Sequence, residues 1–173
     1  MTIKDKIEIL LSGGDLRSIS GANNVLQLIH NQEDFDILFE YLYNGDRLIT
    51  MRAVDSIEKI SKKHNTFLNK YKLNILELLR NAEDKELKWH LAQLVSRLNL
   101  NNTEQKKVFK ILAQWVQNKD ESKIVRVNSI QALSEISYNN ESLGKNLEKI
   151  LNDIAKENIP SINARIKHVF KNR

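Results

Sequence analysis

Residues 46–60, Asp-Arg-Leu-Ile-Thr-Met-Arg-Ala-Val-Asp-Ser-Ile-Glu-Lys-Ile, decide the fold of this chain. The apolar or small residues of this stretch recur every three or four positions, at Ile49, Ala53, Ile57 and Ile60. This spacing places them on one face of an α-helix, since a helix turns once in about 3.6 residues. The stretch is therefore predicted to be an amphipathic helix with one buried stripe.

The same stripe returns at nearly constant intervals along the chain. It reappears when the frame moves forward by 38 residues, by 38 again and then by 37, and in a degraded form when it moves back by 31. The corresponding residues are Leu87, Leu91, Val95 and Leu98; Val125, Ser129, Leu133 and Ile136; Ile162, Ile166 and Phe170; and Ser18, Ala22, Leu26 and Ile29. A fixed period of this length is typical of a repeat architecture.

A second amphipathic helix precedes each of the four regular stripes. The clearest covers residues 108–116, where Val108, Ile111, Leu112, Trp115 and Val116 keep the spacing of a helix face. Its counterparts are Phe35, Leu38, Phe39 and Leu42; Leu68, Ile75, Leu78 and Leu79; and Leu143, Leu147, Ile150, Leu151 and Ile154.

The chain is thus predicted to form about five helix pairs, at residues 3–30, 33–63, 66–98, 103–137 and 141–172. Antiparallel helix pairs of this kind bury their apolar faces only by stacking on one another. The pattern therefore predicts an all-α fold, a right-handed α-solenoid, with residues 1–173 as a single domain.

Residues that start helices fall where the repeat requires them. Asp46, Asp84 and Ser122 each precede a stripe and can accept hydrogen bonds from the first N–H groups of the helix. Asn102 and Gln105 have the spacing of a capping box. Pro160 lies in the first turn of the last helix, where its missing N–H costs nothing.

The segments Asp84–Leu98 and Ser122–Ile136 resemble the HEAT repeat, in which a turn residue is followed by Val, Ile or Leu, a basic residue and a small residue. Phrases such as MRAVDSIEKI and KWHLAQLV are similar to those of small bacterial HEAT-repeat proteins without an assigned function. The resemblance is strong over 33–137 and weak over 1–30. It implies an α-solenoid of the HEAT and armadillo type. It says little about function, because HEAT arrays serve as scaffolds, adaptors, lyase-like proteins and DNA glycosylases.

The same resemblance implies a role for Lys88 and Arg126, which lie four residues after a helix cap. HEAT repeats usually keep a basic residue there, and it bonds to a turn carboxylate of an adjacent repeat. We expect Asp46 and Asp84 to be the acceptors. This structural role is favoured over ligand binding.

The composition excludes several classes of protein. Hydrophobic residues make up 41% and charged residues 28% of the chain, which is ordinary for a soluble globular protein. Cysteine is absent, which excludes disulfides, thiolate zinc sites and cysteine nucleophiles. The apolar runs are shorter than the roughly 20 residues that span a bilayer, and the charged N-terminal helix does not have the pattern of a secretion signal. We therefore expect a cytoplasmic protein without a membrane segment.

No motif indicates catalysis. His30, His64, His90 and His168 lie in separate predicted repeats, and none has the spacing of an HExxH or EF-hand site. The sequence contains no P-loop, no GxGxxG and no nucleophile elbow. We therefore predict that the protein is not an enzyme, and we predict no cofactor, metal ion or small-molecule substrate.

The net charge of +5 is concentrated at the C-terminal end. Arg165, Lys167, Lys171 and Arg173 follow Ile159 without any acidic residue, and the rest of the chain is close to neutral. The favoured interpretation is a terminal capping helix whose basic face is solvated and complements the helix dipole. The alternative is that this face contacts a phosphate backbone or an acidic partner.

Two rows of residues are predicted to point away from the buried stripes, on the face that is inner and concave in HEAT-like arrays. The basic row is Arg47, Lys85 and Lys123, and the apolar row is Met51, Trp89 and Val127. Aromatic and basic side chains together are typical of binding hot spots. Burial between neighbouring helices is the favoured alternative for Met51, whereas partial exposure is expected for Trp89.

The leading functional hypothesis is a protein-interaction scaffold or adaptor that binds a partner protein along this face. The alternative is a nucleic-acid-binding protein resembling the DNA alkylation repair glycosylases, which would use Arg47, Lys85, Lys88, Lys123 and Arg126 with Trp89. The chain lacks the positive excess throughout its length that such a role requires. Duplex DNA binding is therefore expected to be weak and to collapse between about 50 and 200 mM salt.

Overall fold

The computed structural model describes residues 1–13 and 20–172, together with the side chains of these residues except 20–22. Ser18 and Arg173, and the side chain of Ala22, lie outside the described residues. The described part contains ten α-helices and no strand: α1 Ile3–Ser12, α2 Ser20–Val25, α3 Gln32–Glu40, α4 Arg47–Ser61, α5 Lys72–Asn81, α6 Lys85–Val95, α7 Asn102–Gln117, α8 Lys123–Ile136, α9 Glu141–Ala155 and α10 Pro160–Lys171. Two 3-10 helices, Tyr41–Tyr43 and Asn65–Tyr71, precede α4 and α5. Among these described helices, none is both long and apolar enough to traverse a bilayer.

The predicted caps of α4, α6 and α8 are confirmed. One carboxylate oxygen of Asp46 accepts from the backbone N–H groups of Leu48 and Ile49. Asp84 does the same for the first turn of α6, and the Ser122 hydroxyl accepts from a backbone N–H of α8. Each side chain satisfies N–H groups that the helix itself leaves without acceptors.

The predicted capping box at the start of α7 is wrong by one residue. The Asn101 side chain accepts from the backbone N–H of Glu104 at 2.9 Å, and the Glu104 carboxylate accepts from the backbone N–H of Asn101 at 2.8 Å. The prediction used the next pair along the chain, Asn102 and Gln105. Asn101 is the last residue with extended dihedral angles, so only its side chain faces the first turn of the helix.

The chain divides into two compact units, Met1–Tyr71 and Lys72–Arg173. In the first unit, α4 packs against α1, α2 and α3. The Arg52 guanidinium, which is buried, donates to the carbonyl oxygens of Leu11 and Gly13 at 2.7 and 2.6 Å. These carbonyls end α1, so Arg52 fixes the C-terminus of α1 against α4.

An aromatic cluster packs between α3 and the 3-10 helix Asn65–Tyr71 in the first unit. The rings of Phe39 and Tyr71 stack with centroids 3.8 Å apart, and Phe35 contacts Phe67 at 5.4 Å. The Tyr71 hydroxyl donates to Asp36 at 2.6 Å. Burial and the nearby Asp36 carboxylate raise the pKa of Tyr71, so its hydroxyl remains a donor.

In the second unit, the helices form two layers. The helices α6, α8 and α10 lie side by side and are named the second-helix layer, because each is the second helix of its pair. The helices α5, α7 and α9 pack on one another as the first-helix layer. The central helix, α8, contacts α6, α7, α9 and α10, and the stripe residues Leu91, Val125, Leu133 and Ile162 are buried between the layers.

The predicted burial of one stripe residue, Phe170, is wrong. Phe170 was assigned to the core but is 43% exposed, while Val169 is only 2% exposed. Counted from Ile162 at about 100° per residue, Val169 falls about 20° from the same line, whereas Phe170 falls about 80° away. The buried face of α10 is therefore Ile162, Ile166 and Val169.

Arg126 ties three segments of the second unit together. Its side chain is 1% exposed. Its Nε donates to the backbone carbonyl of Val116 at the end of α7 at 2.8 Å, and its two terminal nitrogens reach the carboxylate oxygens of Glu157 at 2.8 and 2.9 Å. These bonds lower the pKa of the Glu157 carboxyl below its ordinary value. A two-pronged pair of this kind is strong because both partners are charged and geometrically matched.

Lys88 makes the equivalent contact one repeat earlier. Its ammonium lies 2.6 Å from the Glu121 carboxylate and 5.6 Å from the centre of the Trp115 ring. The expectation of carboxylate acceptors in an adjacent repeat therefore holds, but their identity is wrong. The oxygens of Asp46 and Asp84 accept from the N-termini of their own helices, and the acceptors are Glu121 and Glu157, which come just before the following second helix.

We predict that Arg126→Met lowers the free energy of unfolding by about 3 kcal/mol, because it leaves the Glu157 carboxylate and the Val116 carbonyl without their buried donor. Chemical denaturation monitored by circular dichroism measures this change. The control is Lys156→Met, which removes an exposed pair with Asp153 and should change the free energy by less than about 0.5 kcal/mol. Equal effects of the two substitutions would contradict the role given to Arg126.

Candidate functional site

The predicted site residues fall in both units. Arg47 and Met51 lie on α4 in the first unit. Lys85 and Trp89 lie on α6, and Lys123 and Val127 lie on α8, in the second unit. Since α6 and α8 are neighbours in the second-helix layer, the structure places these last four residues on two adjoining helices.

The basic row is exposed and the apolar row is half-buried. Arg47, Lys85 and Lys123 are exposed, and 61% of the Lys85 side chain is accessible. Met51, Trp89 and Val127 all have intermediate exposure. Met51 is therefore neither fully buried between helices nor fully exposed for binding. The expected partial exposure of Trp89 agrees with the structure.

The Trp89 indole packs against a buried side chain of its own helix. Its ring packs on the imidazole of His90, with centroids 3.4 Å apart, and His90 is itself buried. A ring held in this way loses little conformational freedom when a partner covers it, which favours tight binding.

An apolar residue that the sequence analysis missed extends this surface. Ile124 is 47% exposed and lies three residues before Val127 on α8, so the two side chains share one helix face. The predicted apolar row contains only one residue from each helix. The i, i+3 spacing of Ile124 and Val127 was the signal that could have identified Ile124. We name Lys85, Trp89, Lys123, Ile124 and Val127 the α6–α8 surface.

A polar cavity opens beside the α6–α8 surface. It encloses about 180 Å³ and is lined by residues of α6, α8, α10 and the turn after α6: Gln93, Ser96, Arg97, Asn128, Gln131, Ala132, Glu135 and Arg165. Within it, Arg165 donates to the Gln131 side-chain oxygen at 2.8 Å, and the Gln131 amide donates to Glu135 at 2.8 Å. The cavity is formed by side chains of three helices and has no signature in the sequence.

A second depression lies on the first-helix layer, between α5 and α7. It encloses about 380 Å³, and Leu73, which is 73% exposed, lies at its edge. Its other lining residues are Leu76, Glu77, Leu79, Arg80, Glu104, Lys107, Val108 and Ile111. Within the second unit it lies on the first-helix layer, whereas Lys85, Trp89, Lys123 and Val127 lie on the second-helix layer.

Two of the cations in the nucleic-acid interpretation, Lys88 and Arg126, are largely or fully buried. Arg126 is buried with Glu157, and Lys88 keeps only 17% of its side chain accessible beside Glu121. Both charges are compensated by a carboxylate within hydrogen-bonding distance. Counting basic residues in the sequence therefore overestimates the positive charge that this face offers to a phosphate backbone.

The structure gives no sign of a metal centre within residues 1–13 and 20–172. In this part of the chain, no group of three or more His, Asp or Glu side chains is placed to hold a metal ion.

A family model described as HEAT repeat domain matches residues 14–173. The chain belongs to the HEAT repeat family. The match confirms the resemblance seen in the sequence and, together with the ten described helices, the all-α, α-solenoid fold class. HEAT repeats are commonly protein-interaction scaffolds, and the family is typically non-catalytic. No curated protein and no solved structure matches the chain.

We predict that limiting acetic anhydride modifies Lys85 and Lys123 several-fold faster than Lys88, since the Lys88 ammonium is shielded and paired with Glu121. Peptide mass spectrometry of the folded protein measures the three rates. Lys145 is the control, because it also pairs with a glutamate but keeps 68% of its side chain accessible, and it should react as fast as Lys85. A Lys88 rate equal to that of Lys145 would contradict the assignment.

Proposed function

We propose that this HEAT-repeat chain is a non-catalytic scaffold that binds a partner protein on its second helices, with the α6–α8 surface as the centre of the contact. Residues 1–173 act as one domain in this proposal. Arg47 and Met51, on α4 of the first unit, are proposed as further partner-binding residues. The expected cytoplasmic location and the absence of a cofactor also remain parts of the proposal.

The observation that carries the proposal is the setting of Trp89. The indole is half-buried, lies on the buried His90 ring and has the exposed ammonium of Lys85 on the same helix. Ile124 and Val127 on the neighbouring helix add apolar area. Large, partly desolvated aromatic side chains surrounded by a polar rim are the residues that carry most of the energy in protein interfaces.

The compensated charges weaken the case for nucleic acid. Two of the five cations considered for that role, Lys88 and Arg126, are paired with Glu121 and Glu157. The remaining exposed cations of the α6–α8 surface, Lys85 and Lys123, are interspersed with apolar residues. Mixed apolar and basic character supports a protein partner over a phosphate backbone.

We predict that a partner protein captured from lysate of the source cell by the wild-type chain is recovered about 10- to 30-fold less well by Trp89→Ala, the loss typical of a hot-spot aromatic residue. The control is Leu73→Ala, which removes an exposed apolar side chain from the first-helix layer and should leave recovery unchanged. Quantitative mass spectrometry of the eluates, at low and moderate salt, measures both, and thermal unfolding checks that both variants fold.

Two results would contradict the proposal. The first is equal recovery of the partner by Trp89→Ala and the wild type, which would remove the α6–α8 surface from the contact. The second is recovery of nucleic acid in place of protein, released as salt rises, since a phosphate backbone is held by charges that counterions replace.

A further inference from the structure

The segment between the 3-10 helix Tyr41–Tyr43 and α4 contains the only Asn-Gly pair of the sequence, Asn44–Gly45. Both residues are exposed. In an Asn-Gly pair the backbone nitrogen of the glycine can attack the asparagine side-chain amide with little hindrance, because glycine has no side chain that opposes ring closure. Whether this pair reacts in the folded protein therefore depends on how firmly the fold holds it.

The fold holds Asn44 weakly. Its backbone N–H donates to the Tyr41 carbonyl at 3.3 Å, and its side-chain oxygen accepts from the Asp46 backbone N–H at 3.4 Å. Both distances exceed the range of about 2.7–3.2 Å that is usual for N–H···O hydrogen bonds. Within the described part of the chain, no acceptor binds the Nδ2 amide of Asn44. The side chain can therefore turn without breaking a strong hydrogen bond.

Gly45 gives the backbone the freedom that ring closure needs. Asn44 has φ −64° and ψ −25°, so the Gly45 nitrogen reaches Cγ of Asn44 only after rotation about the Cα–C bond. Gly45 has φ +85°, a conformation that glycine adopts at no steric cost. Apart from its chain neighbours, no heavy atom of the described residues lies within 4 Å of the position that a Cβ would take at Gly45. The peptide can therefore rotate without displacing packed side chains.

We propose that Asn44 is a site of spontaneous covalent modification, at which the exposed amide becomes a carboxylate through a succinimide. The Gly45 backbone nitrogen attacks Cγ of Asn44 and gives up its proton, and the Cγ–Nδ2 bond breaks to release ammonia. Water then opens the ring at one of its two carbonyl carbons. Attack at Cγ gives aspartate, and attack at the backbone carbonyl carbon gives isoaspartate, in which the main chain runs through Cγ. Water is the one co-reactant that these steps require.

The modification changes the start of α4. The new carboxylate lies two residues before the cap Asp46 and three residues before Arg47, which is exposed. It adds a negative charge next to a cation that is proposed to contact the partner, and a change of charge at such a position alters binding by electrostatics. Isoaspartate also adds one carbon to the backbone ahead of Asp46, so it changes the path of the chain into the helix. The reaction itself requires no partner.

The test is incubation of the full-length protein at neutral and at mildly alkaline pH, followed by peptide mass spectrometry with chromatographic separation of aspartate and isoaspartate. We expect both products at position 44, with isoaspartate in excess. The rate should rise with pH, because the attacking nitrogen must lose its proton.

Asn128 is an internal reference for the effect of the fold. It precedes Ser129, another small residue, but lies within α8, and its Nδ2 amide donates to the Ile124 carbonyl at 2.8 Å. Reaction there first requires local opening of the helix, so the rate at Asn44 should exceed the rate at Asn128 by more than about tenfold.

Variants assign the products to this pair. Asn44→Gln lengthens an exposed side chain by one methylene group and should abolish the products at position 44, because attack would then have to close a six-membered ring. Asn128→Gln is the matched control and should leave the rate at Asn44 unchanged. Thermal unfolding checks that both variants fold.

Three results would overturn the proposal. The first is the absence of product at Asn44 in the folded protein under conditions in which the urea-unfolded chain reacts, since the fold would then protect the pair. The second is an equal rate at Asn44 and Asn128. The third is aspartate without isoaspartate, which would indicate direct hydrolysis of the amide in place of a succinimide.

Discussion

The second unit depends on the need of a buried guanidinium for acceptors. Arg126 lies on α8, but its partners are the Val116 carbonyl near the end of α7 and the carboxylate of Glu157 ahead of α10. A buried charge without such partners costs several kcal/mol, so α7, α8 and the turn before α10 are held in one arrangement. Lys88 and Glu121 repeat this contact between α6 and the turn before α8. The second-helix layer is therefore fixed from within by charged pairs as well as by its apolar stripe.

This internal fixation determines which charges the α6–α8 surface can offer to a partner. Lys88 and Arg126, four residues after the caps of α6 and α8, pair with carboxylates of the next repeat. Lys85 and Lys123, one residue after the same caps, remain exposed. The α6–α8 surface therefore keeps the charges of Lys85 and Lys123 around Trp89, Ile124 and Val127. A rigid platform of this kind binds without a large ordering cost, which is why the proposed function places the partner here.

Features that depend on a single helix, such as its buried stripe and its N-terminal cap, could be predicted from the sequence. The stripe that ends in Ile57 and Ile60 and the caps at Asp46, Asp84 and Ser122 follow from local spacing and were correct. The errors arose where a choice depended on backbone angles or on a second helix. Asn101 and Asn102 are equivalent in a sequence, Phe170 and Val169 differ by one step of rotation, and Glu157 became the partner of Arg126 only through packing. The polar cavity joins side chains of three helices, so no local pattern could reveal it.

The central claim is that a partner lies on the second-helix layer near Val127, and photo-crosslinking tests it most directly. A photoreactive phenylalanine at Val127 is compared with the same residue at Glu148, an exposed position of α9 on the first-helix layer. Each variant is added to lysate and irradiated, and the adducts are identified by mass spectrometry. We predict one discrete protein adduct from position 127 and none from position 148. The same adduct from both positions, or one from position 148 alone, would contradict the claim.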